Sequence, residues 1–177
     1  MVSADSRKRR TRACLKGVYA ADSTEHRQND AQERTLILLN IELFNRIDPS
    51  VIVGHSMGGY LAQKLLESTP VPKVALLATL PGDKLSSTDL AHLRSELPCS
   101  HSRAVIDTAM RAAPEVDRAV ASRSRFIVIG GDRDRVVPPR WTEATARRYG
   151  VPAAILPGGH QLMLGGSATR VASAICS

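Results

Sequence analysis

Val51-Ile52-Val53-Gly54-His55-Ser56-Met57-Gly58-Gly59, running on into Tyr60-Leu61-Ala62-Gln63-Lys64-Leu65-Leu66, is the stretch whose reading decides the fold. Three consecutive β-branched residues read as a buried strand. The residues after Gly59 read as an amphipathic helix. Between the two lies a G-x-S-x-G pentapeptide. A serine on so sharp a strand-to-helix corner adopts a strained backbone conformation, so the residues two before and two after it must be small, and Gly54 and Gly58 meet that demand. The corner lifts the Ser56 hydroxyl out of the sheet edge and sets it beside a helix N-terminus, where unpaired N–H groups and the helix dipole favour a developing negative charge. Ser56 is therefore a candidate nucleophile. The pentapeptide alone arises by chance in about one chain in twenty of this length, taking glycine near 7% of residues; the strand before it and the helix after it carry the reading. The competing reading is an ordinary glycine-rich turn with a helix-capping serine.

Outward from this stretch, strand patterns alternate with helix patterns. Toward the C-terminus, Pro70 and Pro72 punctuate, Val74–Ala78 reads as a buried strand, and Phe126–Ile129 reads as a strand closed by Gly130-Gly131. Pro138-Pro139 opens a helix through Tyr149 that Gly150 ends. Ala153–Leu156 is a last short strand followed by Gly158-Gly159, and a terminal helix begins near Ala168. Toward the N-terminus, Gly17–Ala21 is a short strand candidate and residues 23–30 are a polar loop. Leu36, Leu39, Leu43 and Ile47 have the helical spacing of an element that stops before Asp48-Pro49. This order predicts an α/β fold, a mostly parallel sheet with helices on both faces. The more charged residues 82–122 depart from the pattern and read as two short helices split near Pro98.

Composition narrows the class. A chain of 177 residues suggests one domain with a real core, and at 3% aromatic content that core is mostly Leu, Val, Ile and Ala. No apolar run reaches the length of a membrane span and the N-terminus has no apolar signal segment, so a soluble cytoplasmic protein is expected. Cys14, Cys99 and Cys176 are far apart and match neither a zinc spacing nor a disulfide framework. The net charge of +7 is concentrated: Arg7, Lys8, Arg9, Arg10, Arg12 and Lys16 face only Asp5 within residues 1–16. That stretch reads as a basic disordered tail ahead of a domain at 17–177. A run such as Arg7-Lys8-Arg9-Arg10 also fits a nuclear address or a phosphate-binding arm, but no aromatic platform accompanies it, so no nucleic-acid partner is expected.

Functional groups of an open α/β sheet gather at the carboxyl ends of its strands. Ser56 follows one predicted strand, Asp132 and Asp134 follow another, and His160 follows the last. The chemistry requires this set. A serine hydroxyl is a poor nucleophile until an imidazole accepts its proton, and the imidazole needs a carboxylate on its other nitrogen. Of the remaining histidines, His55 is expected to pack or meet solvent because elbow side chains diverge, and His92 and His101 sit in a charged segment that reads as surface.

With these residues in place, the chain resembles the α/β-hydrolases. The resemblance rests on residues 51–59, on Gly131-Asp132-Arg133-Asp134-Arg135-Val136-Val137-Pro138, and on Pro157-Gly158-Gly159-His160; it covers roughly residues 45–80 and 123–177. The order Ser, Asp, His is the family's order. The family's G-x-x-D-x-x-V-P pattern puts the acid at Asp134, with Asp132 as the alternative or else a turn cap. The resemblance implies a Ser56–Asp134–His160 triad, the Met57 backbone N–H as one oxyanion donor, no metal or organic cofactor, and a small-molecule acyl substrate. Residues 82–122 take the position of a small helical lid. Within it Leu85, Leu90, Leu93, Leu97, Val105 and Ile106 either line an acyl pocket or pack on the body of the protein.

One part of the family pattern is missing. The second oxyanion donor normally follows an earlier strand in a His-Gly loop, and none lies upstream of Ser56. Asp22-Ser23-Thr24-Glu25-His26-Arg27 faintly resembles a later D-x-x-G-x-G segment of the family, with Glu25 and Arg27 in place of the glycines. On that reading the domain is N-terminally truncated, and strand 17–21 either pairs directly with 51–53 or leaves a gap beside it. Two functions follow as expectations: a serine hydrolase cleaving an ester or related acyl bond through an acyl-enzyme, or an impaired, non-catalytic relative acting as a binding domain. A serine at the elbow argues against dehalogenase chemistry, which needs a carboxylate there. Substrate identity and oligomeric state are not encoded in any motif of the chain.

Overall fold

Five short apolar segments pair side by side in a computed structural model that describes residues 18–21, 50–67, 69–97, 113–116 and 121–177. They are β1 (Val18–Ala21), β2 (Val51–His55), β3 (Lys73–Leu77), β4 (Arg125–Gly131) and β5 (Ala153–Leu156). All pairings are parallel and spatial order follows chain order. The intervening helices are α1 (Met57–Leu65), α2 (Ser87–Glu96), α3 (Pro139–Arg148) and α4 (Ala168–Cys176), with a short 3₁₀ turn at Leu162–Leu164. The predicted tail at 1–16, loop at 23–30, helix at 31–47 and second lid helix beyond Pro98 lie outside the described residues.

Side-chain alternation along the strands divides the core into two layers. Ile52, Val74, Leu76, Phe126 and Val128 pack with Ala62 and Leu65 of α1 and Ala146 of α3. Their neighbours in the chain, Val51, Val53, Ala75, Leu77, Ile127 and Ile129, face Val171 and Ile175 of α4. Strands buried on both faces read as continuous apolar runs, which is why the predicted α/β sheet with helices on both faces is the one observed.

The elbow strand has a neighbour: β1 pairs with β2 from Val18↔Val51 to Ala21↔Gly54, the direct pairing that is one of the two expected outcomes. One reading changes. Gly130-Gly131 does not close β4 but forms its last two residues. Glycine is used there because other atoms come close. A side chain at Gly130 would meet the Thr142 side chain of α3, and one at Gly131 would meet the backbone of Gly158 and Gly159. α3 also stops earlier than the pattern implied, at Arg148 rather than Tyr149.

The described half of the 82–122 segment packs on the body of the protein. Leu85 and Leu93 are buried with Leu80, Val137 and Trp141, and Leu90 and Leu97 lie against them. A capping box starts α2: the Ser86 hydroxyl accepts from Asp89 N–H at 3.1 Å and the Asp89 carboxylate accepts from Ser86 N–H at 3.2 Å. Asp89 also accepts from the Trp141 indole N–H at 3.1 Å and from Arg140 at 3.3 Å, which pins α2 to α3. Burial raises its carboxyl, but the bonds from Ser86, Trp141 and Arg140 outweigh burial and hold it below the usual aspartate range.

A buried amide ties the remaining pieces together. Gln63 of α1 lies with its Nε2 3.3 Å from the carbonyls of Gly59 and Leu80, and its Oε1 accepts from the Tyr149 hydroxyl at 2.9 Å. Tyr149 stacks on Phe126 with ring centroids 3.9 Å apart. Burial, only partly offset by Arg148, pushes the Tyr149 hydroxyl up to about 12 from 10.0. A phenol whose folded value lies above its unfolded value stabilises the fold fully below the unfolded value and loses that contribution as pH rises through the folded one. The phenolate difference spectrum between wild type and Tyr149→Phe is therefore expected to rise near pH 12 rather than near pH 10. The urea stability of wild type should fall across the same interval relative to Tyr149→Phe; a group titrating near pH 10 would contradict this packing.

Candidate active site

Ser56 sits between β2 and α1 with φ 53° and ψ −120°, a conformation that L side chains rarely adopt. Its N–H donates to the Leu77 carbonyl at 3.0 Å, which continues the β2–β3 ladder one step past the sheet. Its carbonyl accepts from Gly59 N–H at 3.1 Å, and the Thr79 hydroxyl lies 3.3 Å from the same oxygen. The corner closes so tightly that a Cβ on Gly54 would stand 2.6 Å from Gly59 Cα and 2.7 Å from the Gly58 carbonyl. The Ser56 side chain makes no capping bond to α1, which removes the reading of an ordinary capping serine.

Asp134 lies in the turn after β4 and is buried. Its Oδ1 accepts from the N–H groups of Val136 at 2.9 Å and Val137 at 2.8 Å, an Asx-type turn that fixes the carboxylate plane and aims Oδ2 outward. Asp132 does something else. Its Oδ1 accepts from Gly158 N–H at 2.8 Å, so it ties down the loop after β5. That bond, with Arg133 alongside, holds the Asp132 carboxyl below its ordinary value.

His160 has to reach Ser56 across the sheet. The end of β5 is three strand spacings from β2, about 14–15 Å. Four residues from Leu156 to His160 span at most about 13–14 Å when extended, so the loop must run almost straight across the end of β4 and let the imidazole cover the rest. It does so over Gly131, and Arg133 N–H donates to the Gly158 carbonyl at 2.9 Å to hold it there. Gly158 takes φ 151°, which glycine alone adopts easily.

The three side chains meet in one line. His160 Nδ1 lies 2.9 Å from Asp134 Oδ2 and His160 Nε2 lies 3.0 Å from Ser56 Oγ. A carboxylate only accepts, so Nδ1 carries the proton and the Nε2 lone pair faces the serine hydroxyl. The Asp134 side chain is wholly enclosed and that of His160 is half-buried. Such a relay is able to withdraw the Ser56 proton and to stabilise the resulting imidazolium. Met57 opens α1, so its N–H has no carbonyl one turn back and lies free of the helix ladder beside Ser56.

Among the other histidines, sequence reasoning missed His55. Rather than diverging from the site, it lies against His160, with its Nε2 2.9 Å from the His160 carbonyl and ring centroids 4.7 Å apart. His92 is not simply a surface residue: its ring packs edge-on against Trp141 at 5.6 Å. His101 lies outside the described residues, as does the segment after β1, where the second oxyanion donor was sought.

A parallel sheet with a serine elbow after one strand, an acid after the next strand but one, and a histidine after the last is the arrangement of the α/β-hydrolase fold, and this chain has that fold. Among solved structures it is similar to a protein of the alpha/beta hydrolase superfamily from Xanthomonas campestris pv. campestris, with 15% identity, a TM-score of 0.55 and coverage of 81% of this chain and 64% of that one. It is also similar to MenH from S. aureus (14%, 0.53, 86% and 76%) and to a hydrolase from Pseudomonas aeruginosa PA01 (19%, 0.51, 80% and 69%). The chain thus spans just under two thirds of the length of the first of these. No family model and no curated protein matches the sequence.

The crossing over Gly131 has a measurable consequence. Gly131→Ala places a methyl group against the Gly158 and Gly159 carbonyls, an overpacking cost of about 1–3 kcal/mol. Amide exchange at Arg133 and Gly158 should speed up about tenfold or more, while exchange in β2 and β3 stays as in wild type. Unchanged protection at both amides would contradict the crossing.

Proposed function

We propose that this protein is a serine hydrolase acting on an ester, thioester or related acyl bond of a small molecule in the cytoplasm. The observation that supports this most is the continuous line from Ser56 Oγ through the half-buried His160 to Asp134, 3.0 Å and 2.9 Å, with the Asp134 carboxylate shielded from water. A serine used only for structure has no need of an imidazole whose other nitrogen is held by a buried carboxylate.

The reaction follows from that line. Ser56 Oγ attacks the acyl carbon as His160 Nε2 takes its proton, and Asp134 steadies the imidazolium. The oxygen that gains charge is met by the Met57 N–H at the start of α1. His160 then gives the proton to the departing group, leaving an acyl-enzyme, and a water activated by the same nitrogen releases the acid. Every step uses side chains and backbone N–H groups of the chain itself. In this reading the 82–122 segment is a small lid over the carboxyl edge. A hole with Met57 as its sole donor would be slower by a factor of about a hundred to a thousand than one with two donors.

Hydrolysis of a short p-nitrophenyl ester tests this. Ser56→Ala and His160→Ala should each lower kcat by at least about a thousandfold, and Asp134→Asn should do nearly as much because it leaves the imidazole in the wrong tautomer. A folded wild type with no turnover above buffer, or a rate indifferent to Ser56→Ala, would overturn the hydrolase reading in favour of a binding domain that keeps the relay without using it.

A further inference from the structure

We propose that His55, the residue immediately before the elbow serine, is a positioning residue that holds the His160 backbone in place; its catalytic consequence rests on the hydrolase reading above. His160 needs such a hold because of what precedes it. Gly158 and Gly159 carry no side chains to anchor the loop, and a Cβ at Gly159 would find only the Arg133 carbonyl, at 3.9 Å. Glycine tethers lose the most conformational entropy on ordering, so the loop returns to disorder unless several bonds fix it.

Two of those bonds fix Gly158: its N–H donates to Asp132 and its carbonyl accepts from Arg133 N–H. They hold the near end of the tether and leave His160 two residues away. At the far end, Asp134 at Nδ1 and Ser56 at Nε2 both bond the imidazole ring, and neither takes hold of the His160 backbone. The His55 bond supplies the missing point. A backbone carbonyl only accepts, so His55 must present Nε2–H, and that donor lies 2.9 Å from the His160 carbonyl oxygen. The His55 ring also lies against the His160 imidazole, centroids 4.7 Å apart and planes inclined by 49°. His55 is itself rigidly seated, being the last residue of β2 and in register with Leu77 of β3. The strand end that presents the nucleophile thereby also sets where the base stands, and the 3.0 Å gap between Ser56 Oγ and His160 Nε2 is referred to a single rigid element.

The test uses substitutions that differ in reach rather than polarity. The amide nitrogen of glutamine falls where the histidine Nε2 stood, and that of asparagine falls short of it. The readouts are the downfield proton resonance of His160 Nδ1–H, assigned by its absence from His160→Ala, and the kcat for p-nitrophenyl ester hydrolysis. His55→Gln should keep the resonance and hold kcat within about threefold. His55→Asn should broaden or lose the resonance and lower kcat about tenfold with KM nearly unchanged, as expected when one hydrogen bond's worth of orientation is lost. Equal resonances and equal kcat in the two variants would overturn the proposal. Should wild type show the resonance and no hydrolysis, the hydrolase reading fails by itself, and the contrast in resonance between His55→Gln and His55→Asn still decides the role of His55.

Discussion

The whole carboxyl edge of this sheet depends on the backbone of Ser56 being held at φ 53°. A non-glycine residue in that region costs about 1–3 kcal/mol and persists only where its surroundings over-determine it. Here they do. The Leu77 carbonyl holds the Ser56 N–H, the N–H groups at the start of α1 hold the Ser56 carbonyl, and Gly54 and Gly59 let strand and helix approach to within a contact that no side chain would permit. The buried Gln63 amide then joins α1 to the Leu80 carbonyl and to Tyr149, so the helix cannot drift from the corner it starts at. The strain points the hydroxyl away from the sheet, where a base from another strand can meet it.

His160 arrives from three strands away, and the geometry leaves little slack. A loop of four residues has just enough length to cross β4, so every residue on its path is constrained. Gly131 must have no side chain because the loop lies on it, Asp132 and Arg133 must grip Gly158 in passing, and Asp134 must turn its carboxylate toward the arriving imidazole. The Gly131-Asp132-Arg133-Asp134 turn is thus a track for His160 as well as the source of its carboxylate. The His55 imidazole meets the His160 carbonyl from the strand that ends at Ser56.

Much of this was legible in the sequence because it rests on local rules. Apolar runs marked the strands, glycines around Ser56 marked the corner, and the spacing of Asp134 and His160 behind strand patterns marked the edge they share. What stayed hidden depends on contacts distant in sequence. The strand at 18–21 could be recognised, but whether it paired with β2 is set by tertiary packing, which no local pattern carries. Gly130-Gly131 looked like a strand terminator because what needs those glycines, Thr142 of α3 and the loop at Gly158-Gly159, lies twelve or more residues further on. His55 looked divergent because its partner is a backbone carbonyl, and a carbonyl leaves no trace in residue identity. The leucines of the 82–122 segment were ambiguous for a similar reason: an apolar face reads alike whether it meets a substrate or Trp141, and the described half meets Trp141.

On the proposed reading Ser56 is an activated nucleophile because His160 and Asp134 stand assembled behind it. The most direct test is to treat the purified full chain with a fluorophosphonate and map the modified peptide by mass spectrometry. A single adduct on Ser56 that disappears in His160→Ala, while that variant remains folded, is expected. An unlabelled wild type, an adduct on another serine, or labelling of Ser56 that persists without His160 would contradict it.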